Sequence, residues 1–225
     1  MFSPSSRGRL TDRDLGRFPD KTLFHRIARA VCHAGCLPRK ELYEAWETAR
    51  RVRRVLHGGR VVDMCGGHGL LAQIMLLLDV SSPGALVVDL KAPPSSAKIA
   101  GVLAGEWPRL AGQTEFLEGS IDEVDLLAGD VVVSIHACGA LTDQIIARAV
   151  AARARVAVLP CCHNVAACDA GDLAGWVDVP LAIDLTRAAR LRQQGYRIWT
   201  QQISGDITSK NRLLIGEALR RDDRK

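Results

Sequence analysis

Residues 60–72, Arg60-Val61-Val62-Asp63-Met64-Cys65-Gly66-Gly67-His68-Gly69-Leu70-Leu71-Ala72, constrain the fold more than any other stretch. They read as a buried strand ending on an acid, a turn with three glycines in four positions, and the start of a helix. Glycines at such a turn let backbone approach a ligand without Cβ atoms in the way, and the following helix presents unpaired N–H groups to it. The expected ligand is small and polar. A dinucleotide fold calls for Gly-x-Gly-x-x-Gly, but His68 takes the third place and no glycine follows Gly69 at the right distance, so a pyrophosphate is poorly supported. There is no Gly-Lys-Ser/Thr for a nucleoside triphosphate. Asp63 at the strand end repels phosphate and suits a ligand carrying an ammonium group.

A second acid follows. Ala85-Leu86-Val87-Val88-Asp89 reads as the next strand, and Asp89 lies twenty residues after Gly69, the interval at which α/β nucleotide folds place a ribose-gripping carboxylate. The alternative without a ligand is a parallel-sheet protein whose strands end in helix-capping aspartates. From Arg60 onward, strand and helix alternate, the pattern of a parallel sheet. Strands are predicted near 60–64, 85–89, 114–117, 130–135, 155–160, 196–203 and 212–217, and helices near 69–78, 94–104, 140–152 and 182–194. Ahead of them, residues 1–20 have no apolar period and predict a mobile basic arm. Residues 21–57 predict two helices, the first closing at Gly35 and Pro38 and the second spanning about 39–56 with Arg50, Arg51, Arg53 and Arg54 near its end. Residues 58–219 form the α/β domain, and 220–225 a charged tail.

The strand-turn-helix with its two acids resembles motif I of the class I S-adenosylmethionine (AdoMet) methyltransferases, which bind a cationic, phosphate-free cofactor. Two later segments extend the likeness: His136-Ala137-Cys138-Gly139-Ala140-Leu141-Thr142-Asp143 after the fourth strand and Pro160-Cys161-Cys162-His163 after the fifth. They resemble the paired His-x-Cys-Gly-x-x-Thr-Asp and Cys-Cys-His/Tyr segments of a group including the eukaryotic tRNA acceptor-stem ribose 2′-O-methyltransferases and the methyltransferase-like domain of a glutathione-transferase C-terminal-domain protein. Thr208-Ser209-Lys210-Asn211 is similar to their closing Thr-x-Lys-Asn segment. The likeness spans about residues 60–217, and no zinc-binding module of the tRNA enzymes is recognisable before it. The resemblance implies an α/β class I methyltransferase (Rossmann-like) fold, with a seven-stranded, mostly parallel sheet whose last strand inserts antiparallel. It also implies AdoMet as cofactor, contacted by Asp63, Cys65, Gly66, Gly67, His68, Gly69, Asp89, Leu90, Ser120, Ile121, His136 and Ala137.

Composition bounds the rest. The chain has 225 residues, no apolar run near the roughly 20 a membrane span needs, and no apolar signal core after Met1, so a soluble cytoplasmic protein is expected. Seven cysteines without the spacing of a secreted disulfide scaffold are expected to be reduced. The formal charge of +5 is uneven: residues 1–60 carry 14 Lys+Arg against 6 Asp+Glu, and the other 165 residues carry 16 against 19. Such asymmetry fits an acidic polymer, RNA with tRNA favoured, or else a solvated helical face.

For chemistry, transfer to a hydroxyl needs a base, and His136, Asp143 and His163 are the candidates; His titrates nearest neutrality. Asp143 also suits simple stabilisation of a helix start. Cys161 is the candidate for a thiol route, as in RNA pyrimidine-C5 methylation. Zinc held by the Cys/His group is the further alternative, but Cys161-Cys162 adjacency is not the usual ligand spacing, so no metal is assigned. Lys210 and Arg212, in the turn into the last strand, with Arg50 and Arg54, are the candidate substrate-binding residues. Methylation of a small molecule or protein, or a non-catalytic AdoMet/RNA-binding module, stays open. Oligomeric state is not legible.

Overall fold

The computed structural model describes residues 2–219; the 220–225 tail lies outside the described residues. Seven strands form one sheet in the order β3-β2-β1-β4-β5-β7-β6. The strands are β1 Val61–Met64, β2 Ala85–Asp89, β3 Thr114–Glu118, β4 Val131–Ser134, β5 Arg155–Val158, β6 Tyr196–Gln202 and β7 Arg212–Ala218. The first five pair parallel, and β7 inserts antiparallel between β5 and β6. The order reverses between β1 and β4, which opens a crevice at their carboxyl ends.

Side chains alternate along each strand, so each run feeds two cores. Val61, Val87, Val131, Val133, Ala157 and Ile215 face one side, with Leu70 and Ile74 of helix α3 (Leu70–Leu78) and Ile99 of α4 (Pro94–Glu106). Helices α1 (Leu23–Ala34) and α2 (Arg39–Val52) complete that layer. Val62, Met64, Val88, Val132 and Val156 face the other side, against Ile145 of α5 (Ala140–Ala151) and Leu191 of α6 (Val179–Gln193). The central strands β1, β4 and β5 are therefore apolar on both faces, as buried parallel strands must be, while the edge strands β3 and β6 are partly exposed.

Two differences from the sequence reading have local causes. Helix α6 starts at Val179 rather than near 182, because the Asp178 side chain accepts from Leu181 N–H and Pro180 is tolerated in a first turn. The segment before α1 is not a mobile arm: a 3₁₀ turn spans Asp12–Arg17, and Leu10 and Phe18 are fully buried. Leu10 N–H donates to Leu37 O at 2.9 Å, Arg39 N–H to Gly8 O at 3.0 Å, and Phe2 packs edge-on to Phe18. Its two large core residues stand eight positions apart, too sparse for any helical or strand period.

Candidate active site

β1 ends at Met64, and the chain turns through Cys65, Gly66, Gly67, His68 and Gly69 into α3. Cys65 adopts φ +58°, a left-handed conformation that L residues rarely take. Gly66 is required by packing, since a Cβ there would sit 2.7 Å from the Asp63 carboxyl carbon. Gly67, at φ +51°, would meet nothing within 4 Å, so it is the glycine that leaves the turn open to a ligand. Its N–H donates to Asp89 Oδ2 at 3.0 Å, tying the second acid to the first turn.

Asp63 is 1% exposed and neither carboxylate oxygen has a hydrogen-bond partner. Burial pushes its carboxyl up to about 7, opposed by the Ala72 N–H, which lies near it without making a full hydrogen bond, and helped by the Asp89 charge. An uncompensated carboxylate directly under the turn, with Asp89 beside it, makes a site for a cationic ligand and a poor one for phosphate. The residues thus fit AdoMet, with Asp89 placed for ribose hydroxyls and Asp63 for the positive end. Leu90, beside Asp89, is 80% exposed and offers an apolar surface next to the crevice. Ser120 is less free than the sequence suggests: its Oγ accepts from Asp122 N–H and its own N–H donates to Glu123. Ile121 and Ala137 point into the core on the α5 side, leaving only their backbones for a ligand.

His68 is held by a residue the sequence reading missed. Its Nδ1 accepts from Leu70 N–H at 3.2 Å, so the proton sits on Nε2, which donates to Glu41 Oε2 of α2 at 2.8 Å. Burial alone would raise the Glu41 carboxyl, but the His68 hydrogen bond and the His68, His136 and Lys40 charges hold it below the ordinary range. Helix α2 is thereby latched over the cofactor turn. Nothing local announces a pair 27 residues apart.

The fourth and fifth strand ends bring Cys138, Cys161 and Cys162 together, while His136 faces α2 and His163 faces α6. His136 Nε2 is buried without a partner. Burial lowers its pKa, opposed by the Glu44 and Glu41 carboxylates, so the ring is neutral at pH 7 and able to take a proton. His163 also has one buried ring nitrogen without a partner, Nδ1, but its Nε2 donates to Asp184 Oδ1 at 2.8 Å, while Asp184 also receives Arg187 (3.3 Å) and Arg212 (2.7 Å). Asp143 is not a free base, since Arg187 clamps both its oxygens at 2.8 and 2.7 Å. It is the counter-ion of a guanidinium only 2% exposed, and that pairing across 44 residues was invisible in sequence. Cys161 lies 3.2 Å from Cys138, and burial, with Cys138 and Cys162 beside it, pushes its thiol far up, which opposes a nucleophilic role. All seven cysteines are free.

The substrate-binding candidates separate. Helix α2 runs from the crevice rim, where Glu41 meets His68, to the opposite end of the sheet. There Arg53 is buried, donating to Met75 O, Leu56 O and Ser82 Oγ and pairing with Asp79 at 3.2 Å. Arg50 and Arg51 in the last turn pair with Glu47, and exposed Arg54 follows Arg53. Arg50 and Arg54 therefore lie toward the foot of the sheet and do not extend a rim groove, because the helix direction carries them away. Since β6 is parallel to β1–β5, the β6–β7 turn does emerge at the rim, with Lys210 exposed and Arg212 bound to Asp184.

The sheet order, the crevice acids and the glycine turn are those of a class I methyltransferase fold with a site that fits AdoMet. The profile of a methyltransferase domain matches residues 40–168, more than half of the 225, and the chain belongs to that family. No curated protein matches. Among solved structures, an O-methyltransferase family protein from Burkholderia thailandensis is 18% identical, with TM-score 0.50 over 96% of this chain and 65% of its own. The mitomycin 7-O-methyltransferase is 18% identical, with TM-score 0.51 over 95% and 65%. A neocarzinostatin-biosynthesis O-methyltransferase, solved with S-adenosylmethionine and 2-hydroxy-5-methyl naphthoic acid, is 20% identical, with TM-score 0.51 over 92% and 60%. These likenesses establish the fold; this chain spans less than two thirds of each of those proteins. Among the described residues no helix is long and apolar enough to cross a membrane.

Proposed function

We propose that this protein transfers a methyl group from AdoMet to a nucleophile whose proton His136 removes. The observation that carries this is the neutral, buried and unpartnered Nε2 of His136 at the end of β4, beside the cofactor turn. Bound AdoMet supplies the sulfonium methyl. Asp89 orients the ribose, the Asp63 carboxylate compensates positive charge, and the His68–Glu41 latch fixes the turn so that donor and acceptor meet in line. His163 is held by Asp184 through Nε2, with its Nδ1 buried and unpartnered, and in this reading it positions the β5 end.

The acceptor in this reading is RNA, tRNA foremost, with a ribose 2′-hydroxyl as the methylated group. The His136 to Asp143, Cys161 to His163 and Thr208 to Asn211 segments support it through their resemblance. Rim charge supports it too, from residues other than those first singled out. The segment with exposed Arg7 and Arg9 runs antiparallel to the start of α2, pairing Arg9 with Pro38, and exposed Lys98 lies nearby at the start of α4. Together with Lys210 these replace the Arg50 to Arg54 track. Reversing Arg7, Arg9 and Lys98 to Glu should lower the salt-dependence slope of tRNA binding by about one unit for each phosphate-binding residue removed. Arg50→Glu/Arg54→Glu should leave it unchanged. Labelled methyl from AdoMet should appear in the RNA fraction; its appearance only in small metabolites would sink the RNA reading.

A second acceptor class, a small molecule, is favoured by one observation. An apolar cavity of about 440 Å³ lies between α6 and the β6–β7 hairpin, with Asp184 and Arg212 as its charged residues. The thiol route through Cys161 ranks behind both, because that sulfur faces Cys138 and is desolvated.

A further inference from the structure

The cysteines at the ends of β4 and β5 form an arrangement that the methyl-transfer reading leaves unused. The Sγ atoms of Cys138, Cys161 and Cys162 all lie within 4.8 Å of one another, and Cys138 and Cys161 are 3.2 Å apart. Successive residues of a strand point to opposite faces, so adjacent Cys161 and Cys162 would diverge if β5 continued. It does not continue as a regular strand: β5 ends at Val158 and Pro160 follows, although the parallel register with β4 is kept, Ser134 pairing with Val158 and Cys138 with Cys162, whose carbonyl accepts the Gly139 N–H at 3.2 Å. In this irregular stretch adjacency does not separate the two thiols, and both reach Cys138.

We propose that Cys138, Cys161 and Cys162 bind a soft divalent metal ion, Zn²⁺ being the first candidate, with a fourth position open to solvent. Tetrahedral zinc with Zn–S bonds of about 2.3 Å places sulfurs about 3.8 Å apart, so the present spacing needs shifts of no more than about 1 Å. Packing does not account for the cluster: Cys138 and Cys162 are exposed, whereas the cysteine that behaves as an apolar core residue is Cys32, 1% exposed. The scaffold is braced, since Arg187 donates to Gly139 O at 3.0 Å and is itself held by Asp143 and Asp184. His163, next in sequence, has its Nε2 committed to Asp184, and no fourth side chain joins the cluster among the described residues. Three protein ligands with one place left to water are the arrangement of reactive rather than purely structural zinc sites. This site goes beyond the methyl-transfer reading, and its test does not require turnover.

The full chain, purified without chelator and reduced, should contain about one zinc per molecule by elemental mass spectrometry. Replacing zinc with Co²⁺ should give the intense d–d and thiolate charge-transfer bands of tetrahedral three-thiolate coordination. Cys138→Ser, Cys161→Ser and Cys162→Ser should each weaken zinc by at least about a hundredfold, above the loss typical for a supporting residue. Cys36→Ser, outside the cluster, should not. Because a serine variant can misfold, the cobalt spectrum of the unmodified protein stands as the independent reading. If the isolated protein carries a Cys138–Cys161 disulfide, zinc uptake on reduction supports the site. No uptake by the reduced wild type at micromolar free Zn²⁺ overturns it, as does uptake undiminished in the triple serine variant.

Discussion

At the end of β4, His136 has its Nε2 buried without a partner and lies outside any ion network, whereas at the end of β5, His163 gives its Nε2 to an aspartate that also holds two arginines and keeps only its Nδ1 unpartnered. Both follow apolar runs, Val131-Val132-Val133-Ser134-Ile135 and Val156-Ala157-Val158-Leu159-Pro160, and both stand close to cysteines. What separates them is the element each strand end faces. His136 looks toward the start of α2, where Glu41 is already engaged by His68 and Glu44 by Lys40. His163 looks toward α6, whose Asp184 and Arg187 sit one turn apart and draw in Asp143 and Arg212. A histidine outside any ion network is free to turn a ring nitrogen to a substrate; one tied through Nε2 to such a network is held in place, with only its buried Nδ1 left over.

The contrast breaks most visibly under substitution of the two histidines. His136→Ala should lower kcat by about a hundredfold to ten-thousandfold, the range of a lost general base, with AdoMet affinity kept within about threefold. Steady-state transfer of labelled methyl together with calorimetry reads both quantities. His163→Ala should instead lower stability, and turnover per folded molecule should survive. Equal loss of turnover in both would erase the distinction.

Next in size is Asp184→Ala, which strips a counter-ion from Arg187, itself 2% exposed, and from Arg212. Removing one partner of a buried ion network costs about 3–5 kcal/mol, measurable by denaturant unfolding. A loss under about 1 kcal/mol, the range of an exposed pair, would show that the β5 end is not held by this network.

Asp63 sharpens the comparison from the cofactor side. Its folded pKa of about 7 stands above the unfolded value of 3.8, so the folded state holds more protons between them. Stability of the ligand-free protein therefore falls as pH rises from about 4 to about 7, by up to about 4 kcal/mol for a three-unit shift. Asp63→Asn should flatten that slope, raising the ligand-free Tm at pH 8 while weakening AdoMet. In the unsubstituted protein AdoMet should bind about tenfold more weakly per pH unit below 7, because protonation of Asp63 in the ligand-free site competes with it and that proton must leave on binding. An affinity flat from pH 5 to 8 contradicts the role given to Asp63.

The smallest effect is expected from Glu41→Gln. Burial lowers the His136 pKa and the Glu41 charge partly restores it, so neutralising Glu41 should move the acid limb of kcat/KM to lower pH. The shift should be under about one pH unit, since Glu44 remains. The limb itself belongs below the ordinary histidine value of about 6.5, because His136 must be neutral to act as base. A limb moving upward would remove Glu41 from the site.

The seven strands and the two acids of the crevice were legible in residues 60–218, because the buried central strands read as apolar runs and the glycine turn is a local necessity, while the insertion of the last strand came from the family resemblance. The segment before α1 was not, since Leu10 and Phe18 gain meaning only from the helices they pack against. The arginines of α2 illustrate the same limit. Their charge was plain, but helix direction relative to the sheet carries Arg53 into the interior and turns Arg50 and Arg54 away from the crevice.

By itself the sequence determined the alternation of strand and helix, the acid-ended first two strands and the chemical types gathered at β4 and β5. These follow from local rules of period, turn geometry and burial that act within about ten residues. Only the tertiary structure decided which of those groups are free. Glu41 with His68, Asp143 with Arg187 and Cys138 with Cys161 join across 27, 44 and 23 residues. Whether a titratable group is a base, a counter-ion or a ligand depends on the partners and solvent that distant elements bring to it, and no local pattern encodes those partners.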